Sequence, residues 1–119
     1  MRYFAYGSNM DKNRMNERKI NFTSRKGAKL YGYKLVFNKK ASGGDFTYAN
    51  IIHSESDYVE GAVYEFPCIE ISNLDKYEGY PDHYDRKEVV LTENCGNKIK
   101  AITYIAQLDK TVDGLLPQK

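Results

Sequence analysis

Two short stretches carry residues whose types and spacing suit proton-transfer and anion-binding chemistry. The first lies between Pro67 and Gly79, where a proline suited to a first helical position and a glycine suited to a helix stop bracket a predicted helix. Ile71, Leu74 and Glu78 fall at i, i+3 and i+7, which places a carboxylate on the apolar stripe that faces the core. Asp75 is offset from that line. Glu78 also falls in the last helical turn, where backbone carbonyls make the local potential negative. Desolvation and the helix dipole both penalise the charged form, so this carboxyl is expected to hold its proton more tightly than usual. That is the tuning required of a group that accepts and returns a proton near neutral pH. The plain structural alternative is an ion pair between Glu78 and a neighbour such as Arg86.

The second stretch is Ala5-Tyr6-Gly7-Ser8-Asn9-Met10, which joins a predicted strand to a predicted helix. The first N–H groups of a helix lack internal partners, and Gly7 has no side chain to block a ligand. The main chain of Gly7, Ser8 and Asn9 could therefore hold a carboxylate or a developing oxyanion. The alternative is an ordinary turn with a helix cap.

Other chemistry is less well served. His53 and His83 have no companion at catalytic spacing and are expected at the surface. Cys68 and Cys95 fit no metal-ligand spacing, and Cys95 has no nearby activating histidine. No metal site is expected. The segment Gly79-Tyr80-Pro81-Asp82-His83-Tyr84 places two tyrosines in one turn, suited to walling a small polar pocket or to covering a sheet end.

These features need elements to position them. Residues 2–6 read as a short strand, and residues 10–18 as a helix with Asp11 in its first turn. From Leu30 to Asn38 the chain alternates, with Tyr31, Tyr33, Leu35 and Phe37 on one face. Lys39 to Asp45 contains Ser42-Gly43-Gly44 and reads as a mobile loop, followed by a strand near residues 47–52. Alternation returns at 58–66, 86–92 and 99–106, with Asn94-Cys95-Gly96-Asn97 as the turn of the last hairpin. Five or six strands with two short helices predict an α+β domain on a mixed or antiparallel sheet, able to close into a barrel.

Length and composition bound the partners. A chain of 119 residues suits one domain, and 41% hydrophobic residues exclude a disordered one. Eighteen Lys+Arg against sixteen Asp+Glu leave +2, too weak a bias to name nucleic acid as a partner. No apolar run approaches a membrane span and no secretory signal is evident, so a cytoplasmic location is the expectation. Eleven tyrosines without a tryptophan are the one compositional oddity.

Taken together, Tyr3-Phe4-Ala5-Tyr6-Gly7-Ser8-Asn9-Met10, Leu74-Asp75-Lys76-Tyr77-Glu78-Gly79 and Tyr84 resemble the γ-glutamylcyclotransferase-like (AIG2-like) family. The similarity runs from Arg2 to about Pro117 and includes Tyr33 to Phe37, Ala49-Asn50-Ile51, Val59-Glu60-Gly61 and Ile102-Thr103-Tyr104. The resemblance implies a small mixed β-barrel flanked by short helices. It assigns substrate binding to Tyr3, Tyr6, Gly7, Ser8, Asn9, Tyr84 and Tyr104, and the acid/base role to Glu78. It implies cofactor-free cyclisation of a γ-glutamyl amide, releasing pyroglutamate (5-oxoproline) and a free amine. Family members usually continue past the match to residues 113–117 into a further tyrosine and helix. This chain stops at Lys119, and a partner chain, as in a homodimer, is one way to cover the gap. The competing reading is a non-catalytic small-molecule binding or interaction domain that keeps the pocket.

Overall fold

Strand β1 (Arg2–Ala5) is only four residues long, yet it finds a partner on each side and so closes a barrel. The computed structural model describes residues 1–10, 12–40, 46–107, 111 and 116–117, with the main chain alone for 8, 9, 12, 40, 46, 47, 116 and 117. After β1 come a 3-10 turn (Gly7–Met10), α1 (Lys12–Glu17), β2 (Ser24–Lys40) and β3 (Phe46–Glu65). A second 3-10 turn (Cys68–Glu70), α2 (Ile71–Glu78), β4 (Tyr84–Glu93), β5 (Lys98–Ala106) and the two-residue β6 (Leu116–Pro117) follow. The strand order is β1-β5-β4-β2-β3-β6, and the extra β1–β3 pairing returns the sheet to its start. Strands β1 and β5 run parallel and the other barrel pairs antiparallel. The expected mixed barrel with short flanking helices is the fold.

Period-two alternation sorts the side chains onto two sides of this wall. Phe4, Leu30, Ile51, Val59, Val63, Val89, Leu91 and Ala101 fill the barrel interior. Tyr3, Ala5, Ala62, Tyr64, Tyr104 and Ala106 face outward and are covered by Met15 and Ile20, from and just after α1, and by Leu74 of α2. Full burial of a side chain such as Leu74 or Leu91 contributes about 1.5–3 kcal/mol.

Three expectations are corrected in detail. Tyr31, Tyr33, Leu35 and Phe37, expected on one face, are unequally covered: Tyr33 is buried, whereas Tyr31, Leu35 and Phe37 are exposed. The register of β2 against β3 shifts between Tyr31 and Tyr33, at Gly32, so Tyr31 is offset from the run of Tyr33, Leu35 and Phe37. The two strands expected at 47–52 and 58–66 are one strand, β3. Its residues 54–57 stand opposite Gly32, between the pairs Tyr33↔His53 and Tyr31↔Tyr58. The helix expected from residue 10 is prefaced by the 3-10 turn at Gly7–Met10. Asp11 and residues 41–45 and 113–115 lie outside the described residues. The 94–97 hairpin turn is present, with Glu93 N–H donating to the Asn97 carbonyl at 2.9 Å.

Candidate active site

Helix α2 is built to present its last turn inward. Pro67 is extended and precedes the 3-10 turn rather than opening the helix, so the chain tightens before it becomes α-helical. Gly79 stops the helix in the left-handed region, at φ 69° and ψ 36°, a conformation a Cβ disfavours. Leu74 is fully buried and docks α2 on the outer face of the wall. One helical turn on, the Glu78 side chain is only 16% exposed. The expected shielding of this carboxylate is therefore present.

The alternative of an ion pair with Arg86 is not met: Arg86 lies 3.8 Å from Asp75, and Glu78 is paired with Arg18 at 3.9 Å. Asp75 stands four residues after Ile71 and three before Glu78, so it shares their side of the helix. Asp75 Oδ1 accepts a hydrogen bond from the Tyr104 hydroxyl at 2.5 Å. Asp75 is thus engaged with the wall beneath α2, and Glu78 with the segment that follows α1. The guanidinium of Arg18 also opposes the two effects that disfavour a charged Glu78, since an opposite charge stabilises the carboxylate.

Tyrosines surround this pair of acids. The Tyr6 hydroxyl donates to the main-chain carbonyl of Tyr104, the Tyr84 hydroxyl donates to the Ala49 carbonyl at 3.0 Å, and the rings of Tyr3 and Tyr104 meet edge-on at 5.6 Å. Burial pushes the Tyr6 hydroxyl well above the usual phenol range, with further contributions from Tyr84, Glu78 and Tyr3. Burial and then the charge of Glu78 do the same to Tyr84. Tyr104 is raised by burial, by its hydrogen bond to Asp75 and by the charges of Asp75 and Glu78, with Arg86 opposing. The charge of Glu78 acts on tyrosines from β4, β5 and the loop after β1, so these elements converge on its carboxylate.

That convergence reaches the glycine turn. Gly7 has φ 65°, and a Cβ there would sit 2.9 Å from the Cβ of Ala49. The turn packs against the residue whose carbonyl Tyr84 holds. Its far end is fixed at the Met10 carbonyl, which accepts from the Tyr64 hydroxyl at 2.9 Å and from Arg25 Nη2 at 2.7 Å. Tyr3, Tyr84 and Tyr104 share the outer cluster with Leu74 of α2, Tyr6 packs against the interior cluster with its hydroxyl on the Tyr104 carbonyl, and Gly7, Ser8 and Asn9 lie in the 3-10 turn that follows it.

Sequence reasoning missed Asp75, Arg18, Tyr64 and Arg25 in this neighbourhood. Asp75 had a signal, because Ile71, Leu74, Asp75 and Glu78 complete an i, i+3, i+4, i+7 stripe. The others arrive through non-local packing. His53 and His83 are exposed as expected, His53 lying against the Tyr33 ring at 4.5 Å. Cys68 and Cys95 are free and exposed, and no cluster able to hold a metal occurs among the described residues. A cleft of about 420 Å³ lies elsewhere, between Tyr33, Ile52 and His53 on one side and Asp85, Lys87 and Ile105 on the other. It opens where β2 and β4 part beyond their two pairs, Ala28↔Glu93 and Lys29↔Thr92. Its lining includes Arg86, the partner of Asp75, but neither Glu78 nor Gly7. No helix among the described residues is long and apolar enough to cross a membrane.

A family model described as γ-glutamyl cyclotransferase, AIG2-like, matches residues 3–118. No curated protein matches the chain significantly by sequence. Among solved structures, one titled γ-glutamyl cyclotransferase is 27% identical, with a TM-score of 0.77 over 89% of this chain and 66% of its own. An uncharacterized protein from Homo sapiens is 28% identical, with a TM-score of 0.76 over the same shares. YkqA from Bacillus subtilis is 28% identical, with a TM-score of 0.83 over 99% of this chain and 44% of its own. The chain therefore spans about two thirds or less of the length of these similar structures.

Proposed function

The chain belongs to the γ-glutamyl cyclotransferase, AIG2-like family, and from that premise we propose that it cyclises a γ-glutamyl amide or amino acid without a cofactor, releasing 5-oxoproline and a free amine. The observation that carries the reading is the Glu78 carboxylate, 16% exposed and set among tyrosines from three elements beside the Gly7 turn. In this reaction the substrate's own α-amine attacks its γ-carbonyl carbon. The new C–N bond closes a five-membered ring, and the carbonyl oxygen becomes an oxyanion. Collapse of that intermediate breaks the original amide C–N bond and expels the amine.

Intramolecular attack supplies a large effective molarity once the glutamyl chain is held curled. What remains is proton traffic. Glu78 begins as a carboxylate, takes a proton as the α-ammonium becomes a nucleophile, and returns one to the departing amine. One carboxyl group serves both halves, a role worth about 10²–10⁴ in rate. Main-chain donors of Gly7, Ser8 and Asn9 are assigned to the oxyanion and glutamyl group. Tyr3, Tyr6, Tyr84 and Tyr104 form the wall that excludes water from the folded substrate.

Glu78→Gln is expected to keep the fold and lose pyroglutamate release by at least about 100-fold. The measurement is mass spectrometry of products from a panel of γ-glutamyl amino acids, amines and dipeptides. Wild-type turnover that survives the substitution removes Glu78 from the mechanism. Absence of product from every panel member favours a binding domain that retains the pocket.

A further inference from the structure

The Arg18–Glu78 pair joins groups that are far apart in sequence and both largely withdrawn from solvent, at 17% and 16% side-chain exposure. Arg18 follows the last residue of α1, with its N–H donating to the Arg14 carbonyl at 3.1 Å, and its guanidinium carbon lies 4.9 Å from the centre of the Tyr77 ring. Tyr77 immediately precedes Glu78 on α2. The guanidinium is thus placed by one side chain of the helix beside the next, a position that serves docking of α1 on α2 and also the charge of Glu78.

We infer that Arg18 is a positioning residue that keeps the Glu78 carboxylate charged and aimed at the site before proton transfer, an inference resting on the acid/base role proposed above. Among the described residues, the groups near Glu78 come from several elements. Tyr6 follows β1, with Tyr3 behind it, Tyr84 belongs to β4, Tyr104 to β5, and Asp75 to α2 itself. Tyr6, Tyr84 and Tyr104 remain neutral through the ordinary pH range because burial raises their hydroxyls. Asp75 is answered by Arg86. Arg18 supplies a lasting positive charge in direct ion-pair range of Glu78.

The charge serves both halves of the reaction. A shielded carboxylate left to desolvation would start protonated and have no capacity to accept from the α-ammonium. Once Glu78 has taken the proton, the positive guanidinium beside it favours giving that proton up, which helps the amine leave. A spacing of 3.9 Å is beyond hydrogen-bond distance for this atom pair, so the attraction does not require a direct N–H···O bond between them.

The test reads Glu78 directly, by carbon NMR of protein labelled at glutamate side-chain carboxyls, with the signal assigned by its loss in Glu78→Gln. In Arg18→Met the Glu78 carboxyl is expected to titrate about one pH unit higher than in wild type, and in Arg18→Lys close to wild type. Arg18→Gln carries the same expectation as Arg18→Met and replaces it if the methionine variant does not fold. An unmoved titration overturns the inference. So does a rise in KM with the titration unchanged, which would make Arg18 a substrate-binding group. Where turnover is measurable, the acid limb of kcat/KM moves up with the carboxyl. A shifted titration in a protein that turns over no γ-glutamyl compound leaves the Arg18 coupling standing and removes the cyclisation reading.

Discussion

The two faces of β1 lead into different chemistry. Phe4 points into a barrel interior made largely of aliphatic residues, including Leu30, Ile51, Val59, Val63 and Leu91. Tyr3 and Ala5, its immediate neighbours, point outward into a layer that contains Tyr64, Tyr84 and Tyr104 and is covered by α1 and α2. Both layers are dry, yet the outer one is richer in tyrosine, and three of its hydroxyls have partners: Tyr64 on the Met10 carbonyl, Tyr84 on the Ala49 carbonyl, Tyr104 on Asp75. Hydroxyls buried without partners would cost a few kcal/mol each, whereas bonded ones fix the ends of loops and helices relative to the wall. The aliphatic part of the interior therefore supplies stability that does not depend on pH. The outer layer trades some of that independence for a set of polar anchors around Glu78.

The largest expected effect on stability falls in the interior. Leu91→Ala removes a fully buried side chain from the aliphatic layer, and truncations of this kind lower unfolding free energy by about 2–5 kcal/mol. Urea denaturation measures the loss. Turnover per folded molecule and the position of its acid limb are expected to stay at wild-type values, because the ion-pair and hydrogen-bond partners of Glu78 and Asp75 (Arg18, Arg86 and Tyr104) lie outside that aliphatic cluster. A shifted acid limb in Leu91→Ala would show that the two layers are not separate.

The outer layer is expected to fail first in alkali. Burial raises the hydroxyls of Tyr6, Tyr84 and Tyr104 above the ordinary phenol value of 10.0. Above that pH the unfolded chain releases protons that the folded chain retains, so the unfolded state binds fewer and stability falls as pH rises. The contribution is fully present below pH 10 and is lost as pH climbs toward the folded-state values. Each such tyrosine steepens the fall by up to about 1.4 kcal/mol per pH unit. Denaturation followed from pH 8 to 11 should show this slope, and Tyr84→Phe should flatten it by one tyrosine's share. Phe4, Val63 and Leu91 have no proton to lose. A slope unchanged in Tyr84→Phe would locate the alkaline sensitivity outside the outer layer.

The same contrast explains which parts were legible in the sequence. Alternation identified β4, β5 and the residue types of both layers, and helix spacing marked Glu78, because these signals are local. Alternation cannot say which side of a strand becomes a barrel interior, nor that a four-residue strand will lie parallel to β5 and close the circle. Gly32 inside an alternating run is itself a sign of a bulge, and alternation read straight through it puts Tyr31 on one face with Tyr33, Leu35 and Phe37, whereas the register shifts between Tyr31 and Tyr33. The partner of Glu78 was sought at Arg86, eight residues away, and lies instead at Arg18, sixty residues away. Nothing periodic connects those positions. Asp75 differs in that its place on the α2 stripe was readable, and its omission came from treating Ile71, Leu74 and Glu78 as the whole stripe.

Tyr104→Phe makes the smallest and most selective change to the outer layer. Tyr104 contributes two separate anchors: its main-chain carbonyl accepts from the Tyr6 hydroxyl, and its own hydroxyl donates to Asp75. Phenylalanine keeps the first and removes the second. The ring can still meet Tyr3 edge-on, and Arg86, the cross-strand partner of Tyr104, still lies within ion-pair distance of Asp75. With that charge retained and Asp75 18% exposed, the lost hydrogen bond should lower stability by about 1 kcal/mol. Loosening one end of α2 should lower kcat by less than tenfold, with KM changed little, because Glu78 and the Gly7 turn are untouched. Steady-state kinetics beside urea denaturation test both expectations. A loss as large as that in Glu78→Gln would make the Tyr104 hydroxyl a participant in proton transfer, and the outer layer would then carry the chemistry itself as well as the framework that holds it.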